Sequence, residues 1–490
     1  MQDHITRDPL ADISAGALDE DDPPLVVDID GTLIRTDLLL ESFFALLSSH
    51  PLRAVRALGT LRHGRAALKA RIAEEAAIDV TTLPLNDVVY ARLCEEKSKG
   101  RRIYSASASD RRFVEQVSDR VGLFDGIFAS DGSANLKGQA KAAALCQAFG
   151  KGKFDYIGDA FADIPVWEVA RKRTVANPTR AMLRTVRQRF PDADALGHRE
   201  HCIWDYVKLL RVHQWLKNLL VFVPPLAAHD FQPGTLLAAL LGFLSFSLAA
   251  SSAYIVNDLL DIRNDRLHPS KRRRPFASGA VPVAHGMMLL PVTLACAAAI
   301  AATLPVPFIL TLAGYCVLTM VYSLWLKREM TIDVVMLACL YGVRLLAGGA
   351  ATGVSLSQWL QAFAIFLFLS LAIVKRCTEL TTYIVNGKGD PKGRGYQLRD
   401  LSVLEAMAAA SGYVAVMIFA LYLSSPAVMA LYQHPDRLWF ICVVLVFWIS
   451  RVLLLMHRGD MRDDPVVFAA TDRTSLICAV IVGAVVVLSI

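Results

Sequence analysis

The segment Asn257-Asp258-Leu-Leu-Asp261-Ile-Arg-Asn-Asp265 sets three carboxylates at positions i, i+3 and i+7. On a helix such residues share one face, and three negative charges at the end of an apolar segment repel one another. Ionisable groups in such places are costly and usually functional. A hard divalent cation relieves the repulsion, and Mg²⁺ is commonly held partly by carboxylates and partly by substrate phosphates. Asp258, Asp261 and Asp265, with Asn257 beside them, are therefore expected to hold a Mg²⁺-bound diphosphate. Counter-charges follow in His268-Pro-x-Lys271-Arg272-Arg273-Arg274-Pro. Lys271 and Arg274 are the expected partners of the diphosphate oxygens, whereas Arg272 and Arg273 also fit a plain charge anchor at the membrane face.

A second group lies in the N-terminal half. Asp28-Ile-Asp30-Gly31-Thr32 closes a short apolar run. Two carboxylates two residues apart on a strand point the same way, at the edge where open α/β sheets bind ligands. Gly31 lets the chain turn there. Further pieces follow in order: a hydroxyl at Ser107, with Ser105 as the alternative, then Lys137 opening a helix, then Gly158-Asp159-x-x-x-Asp163.

Two kinds of scaffold must position these groups. Strands expected at 25–30, 102–107, 126–130 and 154–158 alternate with helical stretches, the pattern of a parallel α/β sheet. The helical block 38–97 reads as a small inserted cap. Residues 1–24 are expected to be a flexible N-terminus, 25–180 an α/β domain, 181–204 a linker, and 205–490 an all-α membrane domain. Of all residues 54% are hydrophobic, and the excess falls after residue 200. Nine segments there approach the ~20 residues needed to cross a bilayer: 209–228, 236–257, 285–304, 306–326, 331–351, 358–375, 403–423, 437–456 and 473–490. Alternate loops carry the cations: Arg263 to Arg274, then Lys327 and Arg328, then Lys375 to Arg399, then Arg458 and Arg462. The intervening loops have no Lys or Arg. The positive-inside rule puts the basic loops in the cytosol. The N-terminus, acidic and polar rather than basic and apolar, does not read as a signal peptide, so the α/β domain is expected on that same side of an inner membrane.

The net charge of +6 is mild for this length, and no nucleic-acid motif is present. Nine cysteines without a CxxC pair argue against a disulfide framework or a zinc site.

The four pieces in residues 25–180 resemble the motifs of the haloacid dehalogenase superfamily of phosphohydrolases, with a Rossmann-like domain and a helical cap. The resemblance implies that Asp28 attacks phosphorus to form an aspartyl-phosphate and that Asp30 protonates the leaving alkoxide. It also implies that Ser107 and Lys137 hold the phosphoryl oxygens, and that Asp159 with Asp163 holds a Mg²⁺ shared with Asp28. A carboxylate nucleophile and a phosphate dianion repel unless cations neutralise them.

Residues 205–490 resemble the UbiA superfamily of intramembrane prenyltransferases, on the nine helices and the NDxxDxxxD motif. Quinone-pathway members carry a second aspartate-rich motif, DxxxD, after the sixth helix. Here that region reads Lys375-Arg376-Cys-Thr-Glu379-Leu, followed by Arg394-Gly-Tyr396. Together with Arg211-Val-His-Gln214-Trp-Leu-Lys217-Asn218 and Tyr322-Ser-x-x-x-Lys327, this looks like the decaprenyl-phosphate phosphoribosyltransferase branch. That branch implies phosphoribosyl diphosphate as the donor and a polyprenyl phosphate as the acceptor. Cations in place of the second acidic motif suit a phosphate monoester. Lys217, Lys327, Lys375 and Arg376 are candidates for the 5-phosphate or the lipid phosphate. Tyr322 and Tyr396 are candidates for the sugar or for the membrane interface, and Glu379 and Arg394 are further candidates for substrate binding. The expectation is transfer in the membrane half, then removal of the 5-phosphate by the fused domain. The alternatives are prenylation of an aromatic acceptor, a transporter with a regulatory domain, and a lipid-binding scaffold.

Overall fold

The computed structural model describes residues 23–131, 135–198, 202–268, 271–385, 387, 390, 395–461 and 464–490. Arg394, among the expected substrate ligands, and most of the N-terminal segment 1–24 lie outside them. The chain divides into two compact units, one formed by Met1–Leu209 with Ile255–Leu289 and the other by Leu210–Tyr254 with Leu290–Ile490.

The first unit is built on six strands: β1 (Leu25–Val27), β2 (Ile103–Asp110), β3 (Gly126–Ser130), β4 (Asp155–Gly158), β5 (Arg173–Ala176) and β6 (Asp194–Leu196). They pair in the order β3-β2-β1-β4-β5-β6, all parallel. Side chains alternate across β1. Leu25 and Val27 join one buried cluster with Val89, Leu93, Phe113 and Val117. Val26 joins another with Leu145, Tyr156, Trp167 and Val186. Both sheet faces are thus covered by helices, as parallel sheets require. From β1 the chain proceeds to β2 on one side and later returns to β4 on the other. That reversal opens the crevice at the strands' carboxyl ends where such sheets bind ligands.

The block after β1 is helical as expected, with helices Leu38–Ser49, Pro51–Leu58, Arg65–Glu75 and Asp87–Ser98. The expected linker 181–204 is largely structured. After the helix Arg180–Arg189, β6 extends the sheet beyond residue 180 by pairing with β5. Both added strands are too short, at four and three residues, to carry a readable alternation.

Seven helices among the described residues are long and apolar enough to cross a membrane: Pro233–Leu260, Val283–Ala301, Val306–Leu324, Ile332–Thr352, Gln358–Val385, Leu398–Leu423 and Pro435–His457. Pro465–Thr471 and Arg473–Val487, bent by 75° at their junction, make an eighth if taken as one span. The expected count of nine is therefore not reached. Residues 209–228 form a 3₁₀ stretch, Val212–Phe222, and a five-residue helix, Val223–Ala227. Arg211 has a positive φ of 50°, and the consecutive Pro224 and Pro225 lack the N–H groups an α-helix needs. Within the second unit, one buried cluster gathers Phe246, Phe308 and Tyr315. A second centres on Tyr341, Phe368 and Cys377.

Candidate functional sites

β1 delivers Asp28 to the carboxyl end of the sheet, its N–H bonded to the Ile157 carbonyl of β4 at 2.9 Å. Asp159 and Asp163 follow β4. Suitable oxygens of Asp28, Asp159 and Asp163 all lie within 4.8 Å of one another. Gly31, at φ +77°, lies so close to the Asp159 carboxylate that a Cβ there would collide with it. The tight turn and the convergence thus depend on the same glycine. Burial pushes the Asp28 carboxyl well above its usual range. Lys141 opposes the rise, and Asp163, Asp30 and Asp159 add to it. An all-oxygen set of three convergent carboxylates fits a hard cation such as Mg²⁺.

The ammonium that reaches these carboxylates belongs to Lys141. Its Nζ lies 2.9 Å from Asp28 Oδ1, 2.9 Å from the Tyr156 hydroxyl and 3.4 Å from Asp163 Oδ1. Tyr156 in turn donates to Asp163 at 2.9 Å. Lys137 lines the same cavity, just before the helix Gln139–Phe149, and Lys141 lies one turn further along and is buried. Ser107 donates to Asp30 Oδ2 at 2.8 Å and Ser109 to the same oxygen at 2.7 Å. The other Asp30 oxygen accepts the Leu38 N–H at 2.8 Å. Ser109 lines the cavity, whereas Ser105 Oγ is buried without a hydrogen-bond partner. The cavity, about 440 Å³, is also lined by Lys69 and Leu61 of the cap and by Pro282, Val283 and Ala284. Lys69 donates to Asn135 Oδ1 at 3.0 Å and to the Ala108 carbonyl. Sequence reasoning missed Lys141, Ser109 and Lys69, because a lysine inside a helix or a second serine carries no motif signal alone.

The aspartate-rich segment also belongs to the first unit. The long helix stops at Leu260 and a short one resumes over Ile262–Leu267, with Asp261 between them at φ −102°, ψ 8°. The helical face is thus interrupted at its middle carboxylate. Backbone bonds still carry the register, Asp261 N–H to Asn257 O at 2.9 Å and Asp265 N–H to Asp261 O at 2.8 Å. Arg274 Nη1 joins Asp258 Oδ1 at 3.2 Å and Asp265 Oδ2 at 2.7 Å. Burial pushes the Asp265 carboxyl up to about 6, opposed by Arg274 and reinforced by Asp258. Among the described residues, the Asp28 group is the one acidic set with metal-like convergence. Lys271 opens a 3₁₀ turn, its N–H 3.4 Å from His268 Nδ1.

In the second unit, Lys217 and Lys375 converge on Asp464 Oδ2 at 2.8 and 2.7 Å. Tyr341 donates to the other Asp464 oxygen at 3.3 Å. Arg376 forks onto buried Asp333 and reaches Glu379 at 2.7 Å. Tyr322 donates to the same Asp333 at 2.7 Å. Tyr396 is buried, its hydroxyl accepting the Thr331 N–H at 3.1 Å. Arg376 and Tyr322 thus share Asp333, and Glu379 joins them through Arg376, while Lys217 and Lys375 form a separate group. Lys327 sits in the 3₁₀ turn Leu326–Arg328. Asp333 and Asp464 were not foreseen, being distant in sequence from the cations they pair.

A bundle of membrane-length helices with an aspartate-rich segment after its first long helix defines a multi-pass membrane enzyme. The chain belongs to the UbiA prenyltransferase family, which matches residues 221–481. It is 35% identical to the uncharacterized protein y4nM of Sinorhizobium fredii, over 92% of this chain and 88% of that one. It is 36% identical to the nodulation protein NoeC of Azorhizobium caulinodans, over 56% of this chain and 89% of the relative. It is 28% identical to the decaprenyl-phosphate phosphoribosyltransferase of Mycolicibacterium smegmatis, again over 56% and 89%.

Proposed function

We propose that the chain is a bifunctional inner-membrane enzyme with its α/β domain in the cytosol. Its membrane half transfers 5-phosphoribose from phosphoribosyl diphosphate to a polyprenyl phosphate such as decaprenyl phosphate. The α/β domain then removes the 5-phosphate to leave polyprenyl-phosphoryl ribose. The observation that carries the transfer is the paired lysines Lys217 and Lys375, the second standing where quinone-pathway relatives are expected to have acid. The similarity to a decaprenyl-phosphate phosphoribosyltransferase over most of that protein's length supports it.

In the transfer, the bond from the ribose anomeric carbon to pyrophosphate breaks and a bond from that carbon to the lipid phosphate oxygen forms. Asp258, Asp261 and Asp265 would hold Mg²⁺ on the diphosphate, where it offsets the charge on the leaving group. Arg274, already bridging two of these carboxylates, and Lys271 would bind diphosphate oxygens, with Asn257 beside them. Lys217 and Lys375, held ready by Asp464, would bind a phosphate monoester. Lys327, Arg376, Glu379, Arg394, Tyr322 and Tyr396 remain candidates for the rest of the substrate surface, Arg376 and Tyr322 acting mainly by positioning.

In the hydrolysis, Asp28 attacks phosphorus and the bond to the ribose 5-oxygen breaks, Asp30 giving that oxygen its proton. Water then cleaves the aspartyl-phosphate and releases inorganic phosphate. Asp28, Asp159 and Asp163 would hold a Mg²⁺ that neutralises the phosphoryl group. Lys141 takes the neutralising role expected of Lys137 and keeps the carboxylate cluster compatible with an incoming dianion. Ser107 and Ser109 orient Asp30, and Lys137 and Lys69, which line the cavity, would contact the rest of the substrate.

Membranes incubated with radiolabelled phosphoribosyl diphosphate should incorporate label into lipid. The aromatic-acceptor alternative predicts incorporation from a labelled prenyl diphosphate instead.

A further inference from the structure

One cap helix, Pro51–Leu58, turns its small apolar residues inward and its large ones outward. In the helix Pro51–Leu58, Ala54 and Ala57 pack against Leu46, Leu68 and Ile72. Leu52, Val55 and Leu58 stand on the other side, 76%, 62% and 45% exposed, and Leu61 continues the stripe. A solvated helix puts its large apolar residues in the core. Exposed side chains at i, i+3, i+6 and i+9 form one contiguous face, and such patches mark interaction sites. Arg53, Arg56 and Arg62 flank the stripe and are exposed. No acidic residue occurs between Glu41 and Glu74. Apolar residues on one face with arginines beside them, and no acid, make the pattern of a helix lying in a lipid interface.

The surroundings identify the surface. Leu61 lines the phosphoryl cavity together with Val283 and Ala284, and Val283 is the first residue of the membrane-length helix Val283–Ala301. One end of the stripe is therefore at a cavity whose wall is the first turn of a membrane span. In that turn His285 is hydrogen-bonded to Tyr206 at 2.8 Å, and Trp204 nearby in sequence is exposed. Aromatic residues of this kind gather at membrane interfaces.

We infer that the cap face Leu52–Val55–Leu58–Leu61 docks on the anionic lipid surface of the chain's own membrane, so that the phosphoryl cavity opens at the headgroup layer and accepts phosphate esters carried by lipid. The docking stands by itself; the choice of a lipid-borne ester rests on the phosphatase reading above.

The test uses the full chain in nanodiscs containing phosphatidylglycerol, with p-benzoylphenylalanine replacing Leu52 or Val55. After irradiation, mass spectrometry should find lipid adducts at both positions and none at the exposed control position Glu115. In discs of zwitterionic lipid the yield should fall by about fivefold, as the electrostatic attraction is lost. Absence of lipid adducts at both positions, or adducts to a second protein chain in their place, overturns the docking. The double variant Leu52→Glu/Val55→Glu should slow hydrolysis of the lipid-linked phosphate by about tenfold while p-nitrophenyl phosphate is hydrolysed at the wild-type rate. Equal rates on the lipid-linked ester overturn the proposed substrate class. Failure of the wild type to hydrolyse p-nitrophenyl phosphate would overturn the phosphatase reading, leaving the adducts to decide the docking.

Discussion

The two aspartate clusters of the first unit are built on different principles. Asp28, Asp159 and Asp163 come from the ends of two neighbouring parallel strands, and their oxygens converge within 4.8 Å. Asp258 and Asp265 come from one stretch of chain at a helix end, and Arg274 bridges them. Adjacent strand ends fix their residues relative to a rigid sheet and can focus several carboxylates on one point. The aspartate-rich segment instead spaces its carboxylates along the chain, with a break at Asp261, and the single nitrogen Nη1 of Arg274 contacts one on each side of that break. The strand-end cluster thus has a geometry suited to a metal and a single phosphoryl group. In the proposed function the helix-end carboxylates take the longer diphosphate, with cations completing the site.

The difference can be broken by mutation. Asp28→Asn removes the proposed nucleophile and should lower phosphatase turnover by about 10³-fold or more. Release of inorganic phosphate from p-nitrophenyl phosphate measures it, and retained activity would mean that Asp28 is not the nucleophile. Lys141→Ala should cost about 10²–10³-fold in turnover, since it removes an ammonium that contacts both Asp28 and Asp163, whereas Lys137→Ala should cost less than about tenfold. The reverse order would return the neutralising role to Lys137.

A structural counterpart tests how the aspartate-rich segment is anchored. Arg266, next to Asp265, is paired with Glu41 of the cap, with 3.1 Å between Nη1 and Oε2, and both side chains are buried. Glu41 also accepts the Thr36 hydroxyl at 2.7 Å. Glu41→Ala leaves a buried guanidinium without its partner and should destabilise by about 3–5 kcal/mol, read as a fall in unfolding temperature in detergent. The smallest effect is expected at the opposite end of the sheet. Burial raises the Asp155 carboxyl, but hydrogen bonds and charge from Arg171 and Arg101 outweigh it and hold the group below its usual range. A depressed native pKa stabilises the fold where the unfolded carboxyl is ionised, and that contribution fades as pH falls below about 4. Asp155→Asn should lower the unfolding temperature by about 2–4 °C at pH 7, and the difference from wild type should shrink towards pH 3.

Much of this was legible in the sequence. The DxD pair, the GDxxxD turn and the NDxxDxxxD segment are local patterns, and β1 to β4 with the helical cap appeared where periodicity and turns put them. Contacts between distant residues were not legible. Lys141 reaches Asp28 because a helix packs its first turns beneath the strand ends. Asp464 gathers Lys217 from 247 positions away and Lys375 from 89. β5 and β6 are too short to signal themselves, and residues 209–228 read as a span because hydropathy does not register the cost of consecutive prolines.

The central claim is that the two clusters act in sequence on one lipid. Purified full-length protein in lipid, given phosphoribosyl diphosphate and decaprenyl phosphate, tests it by mass spectrometry of the extracted lipid. Wild type should yield decaprenyl-phosphoryl ribose with one inorganic phosphate released per lipid, Asp28→Asn the same lipid still carrying its 5-phosphate, and Asp258→Asn neither. A wild-type product that keeps its 5-phosphate, or a lipid formed from a prenyl diphosphate in place of phosphoribosyl diphosphate, would contradict it.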